Sequence, residues 1–136
     1  MSFAMSGPLQ AAVYDALVGD AVLGAIVGSA VYDAMPSGSL PPIYVRLGSE
    51  EVRDASDGSG AGAVHRLTVS VITSRPGFSQ AKAAAGAISD VLHEAALSLA
   101  RGRLVSMRFD RARVARVESA ATRQIDLRFT ARVQDD

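Results

Sequence analysis

A chain of 136 residues, 49% of them hydrophobic, suits one domain with one core, and with only 5% aromatics that core must be built from Ala, Val, Leu and Ile. Fourteen basic and fourteen acidic residues cancel, which argues against bulk electrostatic capture of nucleic acid, and the absence of cysteine excludes a disulfide framework and Cys-based metal sites. The longest apolar run, around Ala21 to Val27, is broken by Gly24 and falls far short of the roughly 20 residues that span a bilayer; no basic-then-apolar signal peptide opens the chain, so the expectation is an intracellular protein with no membrane partner.

Pro8 suits the first turn of a helix, where its missing N–H is not needed, and Leu9, Ala12, Val13, Ala16 and Leu17 form an apolar stripe ending at Gly19. Asp20 can cap a second short helix holding Val22, Leu23, Ile26 and Val27, closed by Gly28. Val31-Tyr32 reads as a short strand, and Pro41-Pro42 forces an extended entry into Ile43 to Leu47, which Pro42 marks as beginning at an edge. Residues 48–62 follow, acidic and then glycine-rich, and are expected to form a flexible loop.

The organising unit is Val64 to Leu92. Leu67, Val69 and Val71 alternate with Arg66, Thr68 and Ser70, the pattern of a strand with one dry and one wet face. A Pro76-Gly77 turn and Ser79 as N-cap then open a helix whose apolar side holds Ala81, Ala84, Ala85, Ile88, Val91, Leu92, Ala95 and Leu99. Its small residues come first, which lets it lie close to the sheet.

Leu104 to Asp110 reads as a strand with Val105, Met107 and Phe109 inward. Continuing that phase would bury Arg111 and Arg113, so a bulge or corner is expected between Asp110 and Arg113. After Val114 to Glu118 and a turn at Ser119-Ala120-Ala121, Ile125, Leu127, Phe129, Ala131 and Val133 alternate with Gln124, Asp126, Arg128, Thr130 and Arg132. The fold class is therefore α+β: a single, mostly antiparallel sheet of four to five strands with two main helices on one face, in the order α-β-β-β-α-β-β, all in one domain over residues 1–136.

Nothing in the sequence assembles a catalytic site. His65 and His93 lack a ligand set, the Glu50-Glu51 pair lies in a stretch too glycine-rich to hold geometry, and neither a calcium loop nor a phosphate loop is complete between Asp54 and Gly62. No enzyme activity, cofactor or metal is expected. Nine of the fourteen basic residues lie at or after Arg101, against five of the acids. That cluster reads either as a solvated sheet face or as a site for a polyanion or acidic partner.

Taken together, Leu9-Gln10, Ala12-Val13-Tyr14, Ala16-Leu17, Val31-Tyr32-Asp33 with Pro36, Pro42 with Tyr44-Val45 and Leu47-Gly48, Val71 with Ser74 and Gly77, Leu104-Val105, and Arg128-Phe129 with Ala131-Arg132-Val133 resemble the DUF3168 family of tail-completion proteins from long-tailed phages and gene transfer agents. Ile72-Thr73 and Ser119-Ala120-Ala121 depart from the family pattern, in packing and in turn shape. The resemblance implies a tail terminator: a ring, expected to be a hexamer, on the head-proximal end of the tail tube, assembled in a bacterial cytoplasm and carried in the particle. Its implied partners are the tail tube protein and the head-tail connector, with DNA passing through the ring without specific binding. Interface candidates are Arg108, Asp110, Arg111, Arg113, Asp126 and Arg128; candidates for contact with the tube or connector are Glu50, Glu51, Arg53, Asp54 and Asp57. The alternative is a small nucleic-acid-binding or regulatory domain using the C-terminal arginines.

Overall fold

A computed structural model describes residues 2–58 and 60–135. After a 3₁₀ turn (Ser2–Met5) come α1 (Ser6–Val18), α2 (Ala21–Val27), β1 (Val31–Tyr32), β2 (Ile43–Asp54), β3 (Gly62–Thr73), α3 (Ser79–Leu92), β4 (Arg103–Val117) and β5 (Thr122–Gln134). The five strands form one sheet in the order β1-β2-β3-β5-β4. Only β1–β2 is parallel; the two hairpins and the central β3–β5 pair are antiparallel. Class and element order are those expected.

The helices cover one face of the sheet. Leu9, Val13 and Leu17 of α1, Leu23 and Val27 of α2, and Ile88 and Leu92 of α3 are buried against Val45, Val69, Val71, Leu127 and Phe129. Ala81, Ala84 and Ala85 are buried too, so the small-residue start of α3 sits close to the sheet as its spacing predicts. No single helix is long and apolar enough to cross a membrane; α1 with its leading turn meets α2 at a bend of 76°. Asp20 caps α2, its Oδ2 accepting from the Leu23 N–H at 2.9 Å. Asp20→Ala is expected to cost about 1 kcal/mol, the usual loss of an N-cap, read as a lower urea midpoint at unchanged slope.

Several local expectations are corrected. Ser79 is the first helical residue rather than the cap, since Phe78 holds the cap position without a side-chain bond. Helix α3 stops at Leu92, and Ala95 and Leu99 lie beyond it: His93 is already extended (ψ 122) and Glu94 then adopts a left-handed backbone (φ 58). Just past its first two residues β2 is not at an edge, since β1 lies alongside Val45 and Arg46. Most of the expected loop is strand: β2 runs to Asp54, β3 begins at Gly62, and the connection shrinks to 55–61. A register shift between Leu47 and Glu50 absorbs Gly48 and Ser49, and the pairing then continues through Val52↔His65 to Asp54↔Ala63. That arm carries one apolar residue, Val52, so its backbone pairing left little trace in hydropathy.

The bulge foreseen near Asp110 is present. Phe109 pairs with Phe129 and Arg111 with Arg128, leaving Asp110 extra and turning Arg111 and Arg113 away from the core. A second bulge falls between Leu104 and Ser106, which throws Val105 outward at 46% exposure, against the expectation that it is core.

Candidate assembly surfaces

The sheet face opposite the helices is a lattice of arginines. The strand registers align its residues in rows across β2, β3, β5 and β4. Arg53 and Arg132 share one row, and Arg66 and Arg108 the next. Arg128 and Arg111 follow beyond the β2 irregularity, and Arg46 and Arg113 after them; Arg103 stands on the same face at the strand end. Glu51 and Asp126 are the carboxylates interleaved in these rows, with Asp110 in the bulge beside them. Asp126 is already engaged, its Oδ1 accepting from Ser70 Oγ at 2.6 Å and Gln124 Nε2 at 2.8 Å. A shallow depression of about 390 Å³ opens here between Ser49, Thr68, Arg111, Arg113, Asp126 and Arg128. Arg123 faces the other way, its guanidinium 5.5 Å from the Phe78 ring centroid and donating to the Arg75 carbonyl at 3.2 Å.

The six interface candidates, Arg108, Asp110, Arg111, Arg113, Asp126 and Arg128, therefore all lie on this face or in its bulge, beside the outer edge of the sheet. The five loop candidates are divided. Glu51 and Arg53 belong to the arginine face; Asp54 accepts from Ser56 Oγ at 2.7 Å, and Asp57 exchanges backbone bonds with Gly60 at the hairpin tip. Glu50 points to the helix side, accepting from Ser6 Oγ at 2.5 Å and from His65 Nδ1 at 2.7 Å.

That His65 is fully buried was not legible in the sequence, where it reads as a strand-start residue beside Arg66. Nε2 of His65 has no hydrogen-bond partner among the described residues, so Glu50 is the one acceptor that its ring meets. Glu50→Ala is expected to destabilise the fold by about 1–3 kcal/mol, the usual penalty for leaving a buried polar group unpaired, measured by urea unfolding. An unchanged midpoint would show that the pair contributes nothing.

The two sheet edges differ. On β4, Phe109 N–H donates to His93 Nδ1 at 2.9 Å and Met107 C=O accepts from Glu94 N–H at 2.6 Å, so residues just past α3 cover that part of the edge. His93 is thus tied to the strand. Beyond the bulge nothing described pairs with β4 on its outer side. Its helix-side residues there, Ala112, Val114 and Arg116, have backbone N–H and C=O directed to the open edge, because face and edge are coupled along an L-residue strand. Phe109 and Val114 are 38% and 46% exposed on the helix side of this strand. At the opposite edge β1 covers only Val45 and Arg46, leaving β2 open from Leu47 to Asp54.

Among the described residues no group of three or more His, Asp or Glu could hold a metal ion. An open groove of about 530 Å³ between α1 and β1 is lined by Tyr14, Asp15, Tyr32 and Asp33 among others, so its walls carry two carboxylates.

The sequence matches the family described as tail completion protein gp17 over residues 11–134. No curated protein matches it. Among solved structures, a chain of the "Virion of native gene transfer agent (GTA) particle" is 59% identical, with a TM-score of 0.93 and coverage of 98% of this chain and 99% of that one.

Proposed function

The chain belongs to the tail completion protein gp17 family, and from that premise we propose that it is a tail terminator. Copies join head to tail into a ring, a hexamer on the family resemblance, that caps the head-proximal end of the tail tube. The ring stops tube growth and presents a docking face to the head-tail connector, while DNA passes through its centre. Its role is structural, not catalytic. The particle setting is supported by the near full-length similarity to a chain of a gene transfer agent virion.

The observation that carries the reading is the pair of unlike open edges on one sheet. From Arg111 to Val117 the β4 edge bears Arg111, Arg113 and Arg116 and no carboxylate; from Leu47 to Asp54 the β2 edge bears Glu51 on the arginine face and, on the helix side, Asp54 and the His65-bound Glu50, with Arg53 alone opposing them. An open edge with Val114 exposed along it, and exposed Phe109 just before it, invites pairing with another chain. The strand directions also fit: β2 and β4 run antiparallel to each other within the sheet, so extending one sheet by the next subunit places β4 antiparallel to the neighbour's β2. Two β4 edges meeting about a two-fold would instead oppose arginine to arginine. Unlike edges joined head to tail generate rings where the rotation between subunits closes, and like edges generate closed dimers. Arg111 and Arg113 then lie at the seam, while the β2–β3 hairpin tip, with Asp54 and Asp57, is the proposed contact to the tube or connector.

Native mass spectrometry of the protein, alone and mixed with assembled tail tubes, tests this. A closed ring in either sample without nucleic acid is the expected result. A monomer in both, with no tube binding, overturns it.

A further inference from the structure

We propose that the helix-free sheet face is a contact surface for the phosphate backbone of duplex DNA. The inference rests on the ring reading above and adds to it which face meets the DNA and by what chemistry. A chain of zero net charge has segregated its charges: nine of its fourteen cations stand on one side of one sheet. The groove on the helix side is meanwhile lined by Asp15 and Asp33.

Spacing favours a polyphosphate. Rows on one sheet face repeat every two residues, about 6.8 Å, and two arginines per row give about one cation per 3.4 Å along the strands. One strand of duplex DNA carries one phosphate per about 3.4 Å of helix axis. Among the described residues no ion pair or hydrogen bond holds Arg108, Arg111, Arg113, Arg128 or Arg132, and the one carboxylate central to the lattice, Asp126, is occupied by Ser70 and Gln124. Arginines without partners on a flat, open face suit the sequence-independent contacts along which DNA slides. The edge-to-edge seam uses strand edges and leaves the centre of this face free. The aromatic rings in these rows, buried Tyr44 and half-buried Tyr32, lie against each other with centroids 6.0 Å apart, so no free ring is presented for stacking on single strands.

The test compares two double variants with the same charge change. Arg66→Glu with Arg132→Glu alters the centre of the face, on β3 and β5 and away from the seam; Arg75→Glu with Lys82→Glu alters the helix side. Binding of a mixed-sequence duplex of about 30 base pairs is followed by fluorescence anisotropy across a salt series. The face double is expected to lose at least about tenfold in affinity and to reduce the salt slope by about 2, one unit for each phosphate contact removed. The helix-side double is expected to keep the wild-type slope. Equal loss in both doubles, or no binding of the duplex by the wild-type protein at about 50 mM salt, overturns the proposal. Ring formation on tail tubes is scored on the same samples: rings without duplex binding refute the DNA face alone, whereas duplex binding without rings refutes the terminator reading.

Discussion

Phe129→Ala is expected to lower the free energy of unfolding by about 3–5 kcal/mol, the range for deleting a fully buried phenylalanine. Phe129 has no exposed surface and lies on β5, which is paired on both sides. Leu67 stands opposite it on β3 and Phe109 on β4, the two rings meeting edge to face with centroids 5.9 Å apart. A chain with four phenylalanines and no tryptophan has few large side chains to refill the space. The ladders on either side also hold the backbone against collapse, which keeps the cavity open. Against a usual domain stability of about 5–15 kcal/mol, the loss is a large fraction of the total. Far-UV circular dichroism in urea is the suitable readout, because no tryptophan reports tertiary structure. A shift below about 1 kcal/mol would mean that the β4–β5 ladder, and not this ring, holds the outer half of the sheet.

The parts of the fold that were legible in the sequence are those where burial writes a period. The alternation in β5 from Ile125 to Val133 and the stripe of α3 from Ala81 to Leu92 each face the core as their spacing requires. The bulge at Asp110 was legible for the same reason, since a charge cannot be carried into the core on an unbroken phase. Where a strand is exposed on both faces, hydropathy has nothing to report. The far half of β2 pairs through backbone groups while carrying Glu50, Glu51, Arg53 and Asp54, and so reads as loop. The lattice of arginines was partly visible: Arg108, Arg128 and Arg132 follow from strand phase, but Arg46, Arg53 and Arg66 join them only through the β2–β3 and β3–β5 registers. Pairing of strands distant in sequence is non-local information that no window of residues contains. The same holds for Glu50, which a composition argument places on a surface loop and which the bulge at Gly48–Ser49 turns onto the buried ring of His65.

Val114→Pro is expected to fold and yet fail to assemble. The Val114 N–H is directed to the open side of β4, so proline removes no bond from the β4–β5 ladder, and edge strands accept proline at such positions. The neighbouring substitution supplies the contrast. Arg113 has the opposite phase, its N–H turned toward β5, so Arg113→Pro breaks the hairpin and is expected to unfold the outer sheet. At a seam between β4 and the next subunit's β2, the missing Val114 donor leaves an acceptor unpaired, at about 1 kcal/mol per seam. Closure multiplies the effect, because in a ring of about six subunits the same loss recurs at every seam and compounds to about 6 kcal/mol, a factor above 10⁴ in ring population. The expected outcome is a monomer of near wild-type melting temperature that no longer caps tail tubes in native mass spectra. Rings formed by Val114→Pro at wild-type concentration would refute the edge seam, and would shift the subunit contact to the sheet face or the helices.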